Sequence, residues 1–559
     1  MESRFTHDVD RSCPLGEYPR PQLVREPWQC LNGVWKYAIS KSSRPAEKWD
    51  GEILVPFSPE TLLSGVGRSP ERDEYLWYGR DVQVPESFEG RRVILHFDAV
   101  DCECEVFVNG KTAVCHTGGY LPFETDITEL ISCGRAEILV RVRDETDFSC
   151  HSRGKQKTDR GGIWYTPQSG IWQSVWMEAV PEEYIRELRI TPLFDEGCVA
   201  IEGDAEQVVF EGKTYDAPCR IYGDFESWTP DNPKLYPFTA VRGEDRVESY
   251  FAMRKISVDT DEKGRKLLFL NNEPLFQNGL LDQGYWPDGL YTPPTDEAMV
   301  FDIQTAKDMG FNMLRKHIKV EPLRWYYHCD RLGMLVWQDM PSGGGKYKFP
   351  VISFPLFTNI HLNDGNYSLF AREDENGRNE YHEELAGMVR HLYNSPCIVL
   401  WVPFNEGWGQ FDAKVAYELI ENIDGTRLID HASGWHDQWI GEIKSWHVYF
   451  KPYVFSKDRL NRAVVLSEYG GYSYRVEGHI FNDKLYGYKT LKDAPALEKA
   501  LNRLFGGEIA PAREKGLAAA VYTQLTDVED ELNGLITYDR KELKLPSEIV
   551  HRLVKNLLS

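Results

Sequence analysis

From Val24 to about Val180 apolar and polar residues alternate in short runs: GVWKYAIS, YLWYGRDVQV, RRVILHFDAV, CEVFVNGKTAV, AEILVRVRD and IWQSVWMEAV. A period of two, broken by Gly, Pro or Asn-Gly about every ten residues, is the pattern of an all-β sandwich or jelly roll. Asn109-Gly110 reads as a two-residue hairpin turn. YIRELRITPLF, CRIYGDF and RVESYFAMRKISV carry the strand pattern from Glu183 to about Val258, enough for a small second sandwich. Within this segment SWTPDNPKLYPF holds three prolines, which predict a rigid extended crossing instead of a strand.

After about Asp259 the texture changes. Strand-like runs at LFQNGL, NMLRKHI, MLVWQDM, CIVLWVPF, RLIDHAS, IKSWHVY, AVVLSEY and LAAAVYTQL alternate with helical patterns such as TDEAMVFDIQTAKDMG, EPLRWYYHCDRLG and DAKVAYELIENI, and PSEIVHRLVKNLL predicts a final helix. Eight strands with crossovers in about 300 residues predict a (β/α)8 TIM barrel. A doubly wound open sheet competes, but no GxGxxG follows any of these strands. The expected division is therefore 1–182 for the jelly roll, 183–258 for the small sandwich and 259–559 for the barrel.

Composition changes this picture in one respect. The 559 residues are 42% hydrophobic and 27% charged, as in ordinary globular proteins, but 13% are aromatic. The net charge of −23 disfavours nucleic acid and anionic membranes and leaves a neutral ligand as the better fit. The N-terminus lacks a basic segment followed by an apolar run, and no apolar stretch approaches membrane-spanning length, so a cytoplasmic protein is expected. Eleven cysteines without CxxC pairs point to reduced thiols, with Cys102 and Cys104 reading as buried strand residues and not as a metal or redox site. A homo-oligomer is compatible with all of this.

In a barrel the chemistry sits at the C-terminal strand ends. Those ends carry Asn278 and Asp282, Arg315 and His317, Trp337 and Asp339, Asn405 and Glu406, Asp430 and His431, Trp446 and His447, Glu468 and Tyr469, and Gln524 and Asp527. No HExxH, cysteine nucleophile or Ser-His-Asp order is among them. Glu406 and Glu468, on strands four and seven, are the pair that glycosidic cleavage needs: one neutral acid, one ionised carboxylate. A carboxyl separation of about 5 to 5.5 Å would retain anomeric configuration. A lone strand-end glutamate is most often an ion-pair partner; strand position and the second carboxylate reverse those odds.

Asn405-Glu406 and SEYG at Ser467 to Gly470 resemble the paired catalytic motifs of glycoside hydrolase family 2. LNGVWKY, VFVNGK and SGIWQSVWME resemble that family's sugar-binding jelly roll, and DRVESYFAMRKI the segment leading from its immunoglobulin-like domain, here short, into the barrel. The resemblance implies Glu406 as general acid/base, Glu468 as nucleophile and Asn405 on the sugar 2-OH, with a tyrosine supporting the nucleophile. Tyr469 and Trp446 are the favoured aromatic contacts. Arg315 is expected beside Glu468, holding it ionised, with Asp339 as partner or scaffold. His317, His447, Gln524 and Asp527 complete the expected sugar contacts. Although β-galactosidases of the family often use Mg²⁺, no tight acidic ligand spacing occurs, so neither metal nor cofactor is expected.

The resemblance implies a retaining, exo-acting β-glycosidase with a carbohydrate substrate. In DVEDELNGLITYDRK, Asn533 lacks a lysine two residues on, which disfavours a glucuronide. A β-galactoside is the first expectation, with β-glucuronide or β-mannoside behind it and a non-catalytic carbohydrate-binding protein as the reading from another class. The stretch of 38 residues after strand three, PSGGGKYKFPVISFPLFTNIHLNDGNYSLFAREDENGR, is expected to lid the pocket.

Overall fold

Alternation along the first segment produces two antiparallel sheets in the computed structural model, which describes all residues except 46, 359 and 559. The larger sheet orders Gly51–Val55, Gly33–Ser40, Tyr75–Gln83, Arg135–Arg143, Glu103–Val108 and Lys111–Thr117, and the smaller Trp28–Cys30, Val175–Val180, Arg92–Phe97 and Phe123–Asp126. In Arg135–Arg143 every second residue, from Ala136 to Val142, is buried against Val106, Leu95 and Met177, so burial follows the pleat. Asn109 and Gly110 both have positive φ, 49° and 76°, which the Asn-Gly pair tolerates in a two-residue turn. Cys102 and Cys104 are buried, and all eleven cysteines are unpaired.

Two smaller sheets between Leu188 and Phe251 enclose a separate core of Ile190, Val199, Phe238, Val247 and Phe251. The proline-rich stretch departs from the expected extended crossing, since Thr229 and Asn232 close a turn and Tyr236 to Phe238 open strand Tyr236–Arg242; Trp228 donates through Nε1 to Asp330 O at 2.8 Å, fastening this unit to the barrel. Strand Ile256–Thr260 then pairs with Lys266–Leu270, and their Ile256, Leu268 and Leu270 join the barrel core. The boundary expected at 258/259 falls inside that strand.

Eight parallel strands form the barrel: Gln277–Asp282, Met313–Lys316, Leu335–Asp339, Ile398–Val402, Leu428–Ile429, Ile443–Val448, Ala463–Gly470 and Leu517–Thr523, numbered one to eight hereafter. Among the described residues pairing runs five-four-three-two-one-eight-seven-six, which leaves one seam between five and six. Side chains bridge that seam, with Ser445 Oγ donating to Asp430 Oδ1 at 2.9 Å and Ser433 Oγ 3.2 Å from His447 Nε2. The strands are buried on both faces, as parallel strands covered by helices must be. Helices follow strands one (Asp296–Asp308), two (Leu323–Leu332), three (Glu375–Leu392), four (Ala413–Ile423), seven (Ala494–Leu504) and eight (Ser547–Leu558). The crossovers after five and six are loops, and they border the chemistry.

Candidate active site

After strand four the chain cannot continue as strand or helix. Glu406 adopts φ +51°, and Gly407 and Gly409 follow at +69° and +60°. A Cβ on Gly407 would stand 2.5 Å from His436, and one on Gly409 2.4 Å from Gly343 O, so neighbouring loops approach the bare backbone at both positions. Glu406 N donates to Ser433 O at 3.0 Å, fixing the turn to the loop after strand five. Backbone strain at a non-glycine residue is thus held by surrounding structure, and it aims a carboxylate across the barrel mouth.

Glu468 comes to the same place from strand seven. One oxygen of Glu406, one of Glu468 and a ring nitrogen of His447 all lie within 4.8 Å of one another. His447 Nδ1 is 2.7 Å from Glu406 Oε1 and 3.6 Å from Glu468 Oε2. Arg315 Nη1 donates to Glu468 Oε1 at 3.1 Å, and Tyr449 OH donates to Glu468 Oε2. Burial works against the charge on Glu468, but His447 and Arg315 outweigh it and hold this carboxyl low, down to about 2. Burial, and then the charge of Glu468, push Glu406 up from its ordinary value. Two carboxyls in one cleft are thereby driven apart in acidity.

A second layer fixes the first. Arg315 Nε and Nη2 grip both oxygens of Asp339 at 3.0 Å each, and Nη2 also donates to Asn405 Oδ1 at 2.8 Å. With its oxygen committed, Asn405 keeps a buried Nδ2 that has no protein partner. His317 Nδ1 lies 2.7 Å from Asp339 Oδ2, and its Nε2 is likewise buried and unpartnered. Trp435, Trp446, His447, Tyr449, Phe357 and Phe450 line a cavity of about 240 Å³ beside the glutamates.

Of the residues expected in the site, Glu406, Glu468, Asn405, Arg315, His317, Asp339 and His447 form one connected network, and Trp446 lines the adjoining cavity. Tyr469 does not reach the Glu468 carboxylate: its ring packs against Phe505 and Tyr522, because consecutive strand residues point to opposite faces. Tyr449 takes that place, two residues beyond His447 on the same side of the chain; strand alternation in SWHVY was the available signal. Gln524 and Asp527 are scaffold. Gln524 bonds Asn533 and Gln283, and Asp527 accepts from Gly534 N and from Lys544 at 2.7 Å.

Sequence reasoning also missed a contribution from the jelly roll. Residues 153–166 reach the barrel mouth, where Arg160 pairs with Glu529 and Asp530 at 3.2 and 3.1 Å, Tyr165 OH donates to Glu531, and Arg153 donates to Gly344 O at 2.7 Å. Trp164 from this segment packs 5.2 Å from Trp408, centroid to centroid. No spacing within the barrel sequence could announce a partner some 240 positions upstream.

Among the described residues two clusters have the donor geometry for a cation: Glu406 with His447 and Glu468, and Asp101 with Cys102 and Asp144. In the second, burial raises Asp101 and Cys102 well above their ordinary values, which favours protonated neutral groups.

A jelly roll and a small sandwich fastened to a (β/α)8 barrel, with two facing glutamates on strands four and seven, define the class. The sequence matches the sugar-binding domain of glycosyl hydrolases family 2 over residues 66–181 and the TIM-barrel domain of the same family over residues 265–471. The chain belongs to glycoside hydrolase family 2. It is 25% identical to a β-galactosidase of Thermoanaerobacter pseudethanolicus over 71% of this chain and 53% of that one, so it spans about half that relative's length. With a β-glucuronidase of Paenibacillus borealis it shares 28% identity over 74% of this chain and 73% of the relative. The solved β-glucuronidase of an uncultured Clostridium sp. superimposes with a TM-score of 0.75 over 96% of this chain and all of that one, at 18% identity, a likeness of fold.

Proposed function

We propose that the chain is a retaining, exo-acting β-glycosidase. The observation that carries this reading is the approach of Glu406 and Glu468 to within 4.8 Å with their acidities pushed in opposite directions. That spacing suits direct attack by a carboxylate, whereas inversion needs about 6.5 to 9.5 Å to admit a water between the groups. Glu468, ionised, attacks the anomeric carbon while Glu406 gives its proton to the departing glycosidic oxygen. Glu406, now a base, takes a proton from the water that releases the sugar. Asn405 Nδ2 is free to bond the 2-hydroxyl, and the hairpin 153–166 with the loop after strand three narrows the mouth, in keeping with removal of one terminal sugar.

For the sugar we favour an uncharged β-galactoside. Lys316 is committed to Asp282 and Glu321 at 2.6 and 2.8 Å, Asn533 is bound to Gln524 and Glu531, and Lys544 beside it is committed to Asp527 and Leu532 O at 2.7 and 2.8 Å, which leaves a uronate carboxylate poorly served there. β-Glucuronide is the second reading, supported by the names of the Paenibacillus and Clostridium relatives.

A panel of nitrophenyl β-glycosides tests both levels. Glu406→Gln should slow turnover by about 10²- to 10⁴-fold on substrates with poor leaving groups, Glu468→Gln should abolish it, and NMR should detect the β-anomer as first product. A first-formed α-anomer would refute retention, and silence of the wild type across the panel would favour a carbohydrate-binding role.

A further inference from the structure

A buried ammonium needs acceptors for its N–H groups or a carboxylate beside it, since desolvation costs several kcal/mol otherwise. The buried lysines of the barrel mouth obey this. Lys316 and Lys319 share Glu321, each at 2.8 Å, Lys444 meets Asp437 at 2.9 Å, and Lys544 meets Asp527 at 2.7 Å. Lys155 does not. The residue is 6% exposed, no hydrogen bond or ion pair among the described residues involves its Nζ, and that atom is not one of the fully buried unpartnered polar atoms, so it keeps an opening toward the cleft. The rings of Trp408 and Tyr165, with centroids 5.5 and 5.8 Å away, attract the charge but leave its hydrogen-bonding capacity unmet.

The position of Lys155 is built. Its carbonyl accepts from Tyr165 N at 2.8 Å, Gly154 N donates to Tyr120 OH at 2.8 Å, and the Arg160 and Tyr165 contacts bolt the hairpin to the segment after strand eight. The same Trp408 ring is approached by His317, 6.4 Å between centroids. His317 Nδ1 faces an Asp339 carboxylate already gripped by Arg315, so Nδ1 carries the proton and the unpartnered Nε2 offers a lone pair. Burial and the charge of Lys155 both oppose protonation of His317. One indole is thus flanked by an unused donor and an unused acceptor.

We propose that Lys155, supplied by the jelly roll, is a specificity-determining residue that acts with His317 to recognise a hydroxyl of the terminal sugar. A hydroxyl accepts from the ammonium and donates to the imidazole. This inference rests on the glycosidase reading above and deepens it.

The test uses the full chain, the nitrophenyl glycoside it hydrolyses best, the monodeoxy derivatives of that sugar, and its uronate counterpart. Lys155→Met should lower kcat/KM on the parent sugar by about 10- to 100-fold, as expected for losing a charged hydrogen bond. On one deoxy derivative the wild type and Lys155→Met should be equal, and on the parent sugar Lys155→Arg should recover part of the loss. An equal loss on every derivative, a displaced pH profile without hydroxyl selectivity, or a preferred uronate that depends on Lys155 would each overturn the proposal. Full wild-type activity with an indifferent Lys155→Met rejects it while leaving the glycosidase reading intact. A wild type silent on all sugars rejects both. Equal thermal midpoints, or the partial recovery by Lys155→Arg, separate these outcomes from misfolding.

Discussion

Tyr449 illustrates how one hydroxyl tunes the pair. It donates to the carboxylate form of Glu468, so Tyr449→Phe should raise the pKa of that group and slow turnover by about 10- to 100-fold. The proposed mechanism requires Glu468 ionised and Glu406 protonated for activity. Activity is therefore lost as pH falls through the lowered value of Glu468 and as pH rises through the raised value of Glu406, giving a bell whose limbs belong to the coupled pair. In Tyr449→Phe the acid limb should move upward; an unmoved limb would assign Tyr449 to packing alone. The glutamates, Asn405 and Arg315 were legible as residues because they directly end apolar strand runs. Tyr449 had only the alternation of SWHVY to announce it, because it lies one residue past its strand, and Lys155 had no signal, because it belongs to a different folding unit.

Among the elements, the connection from the middle unit into the barrel is held by Arg254. Its Nε donates to Pro396 O at 2.9 Å and its Nη2 to Ile398 O at 3.0 Å, at the base of strand four. Burial depresses this guanidinium to about 9, so its charge is costly and its hydrogen bonds are what it supplies. Arg254→Met should cost about 2 kcal/mol or more, read as a lower denaturant midpoint, because Pro396 O loses its donor. The loop after strand three behaves differently. Phe357 is 74% exposed yet lines the cavity beside Trp435 and His447. Phe357→Ala should change KM for bulky aglycones several-fold and leave stability within about 0.5 kcal/mol; a change in stability alone would reject the lid. Eight strand runs were readable from period and composition. Missing helices after strands five and six were not, because the loop conformations there answer to the site and not to a local repeat.

For the molecule as a whole, acidity and stability are linked through carboxyls displaced in both directions. Asp424, bonded to Arg427 and Trp401, is depressed to about 2 despite burial, so its contribution is lost as pH falls from the ordinary carboxylate range through that value. Burial raises Asp330 to about 6 and Glu384 to about 7. These groups keep protons that the unfolded chain has released, so their contribution is lost as pH rises through 6 and 7. Stability gained from Asp424 is complete by about pH 4, and the losses from Asp330 and Glu384 begin there, so thermal stability should peak near pH 4 by this linkage. A calorimetric midpoint climbing steadily to pH 8 would contradict it.

Periodicity is a local property of the chain, and so the strands, most helices, the two kinds of sheet and the pair of strand-end glutamates were all readable before any coordinates. Distances between segments far apart in sequence are not local. Whether Glu406 and Glu468 meet, which tyrosine turns toward them, and how a hairpin of the first sandwich brings Lys155 to Trp408 all depend on barrel closure and on packing between units. Hydrophobic burial chooses that packing for the molecule as a whole, whatever order its residues have along the chain.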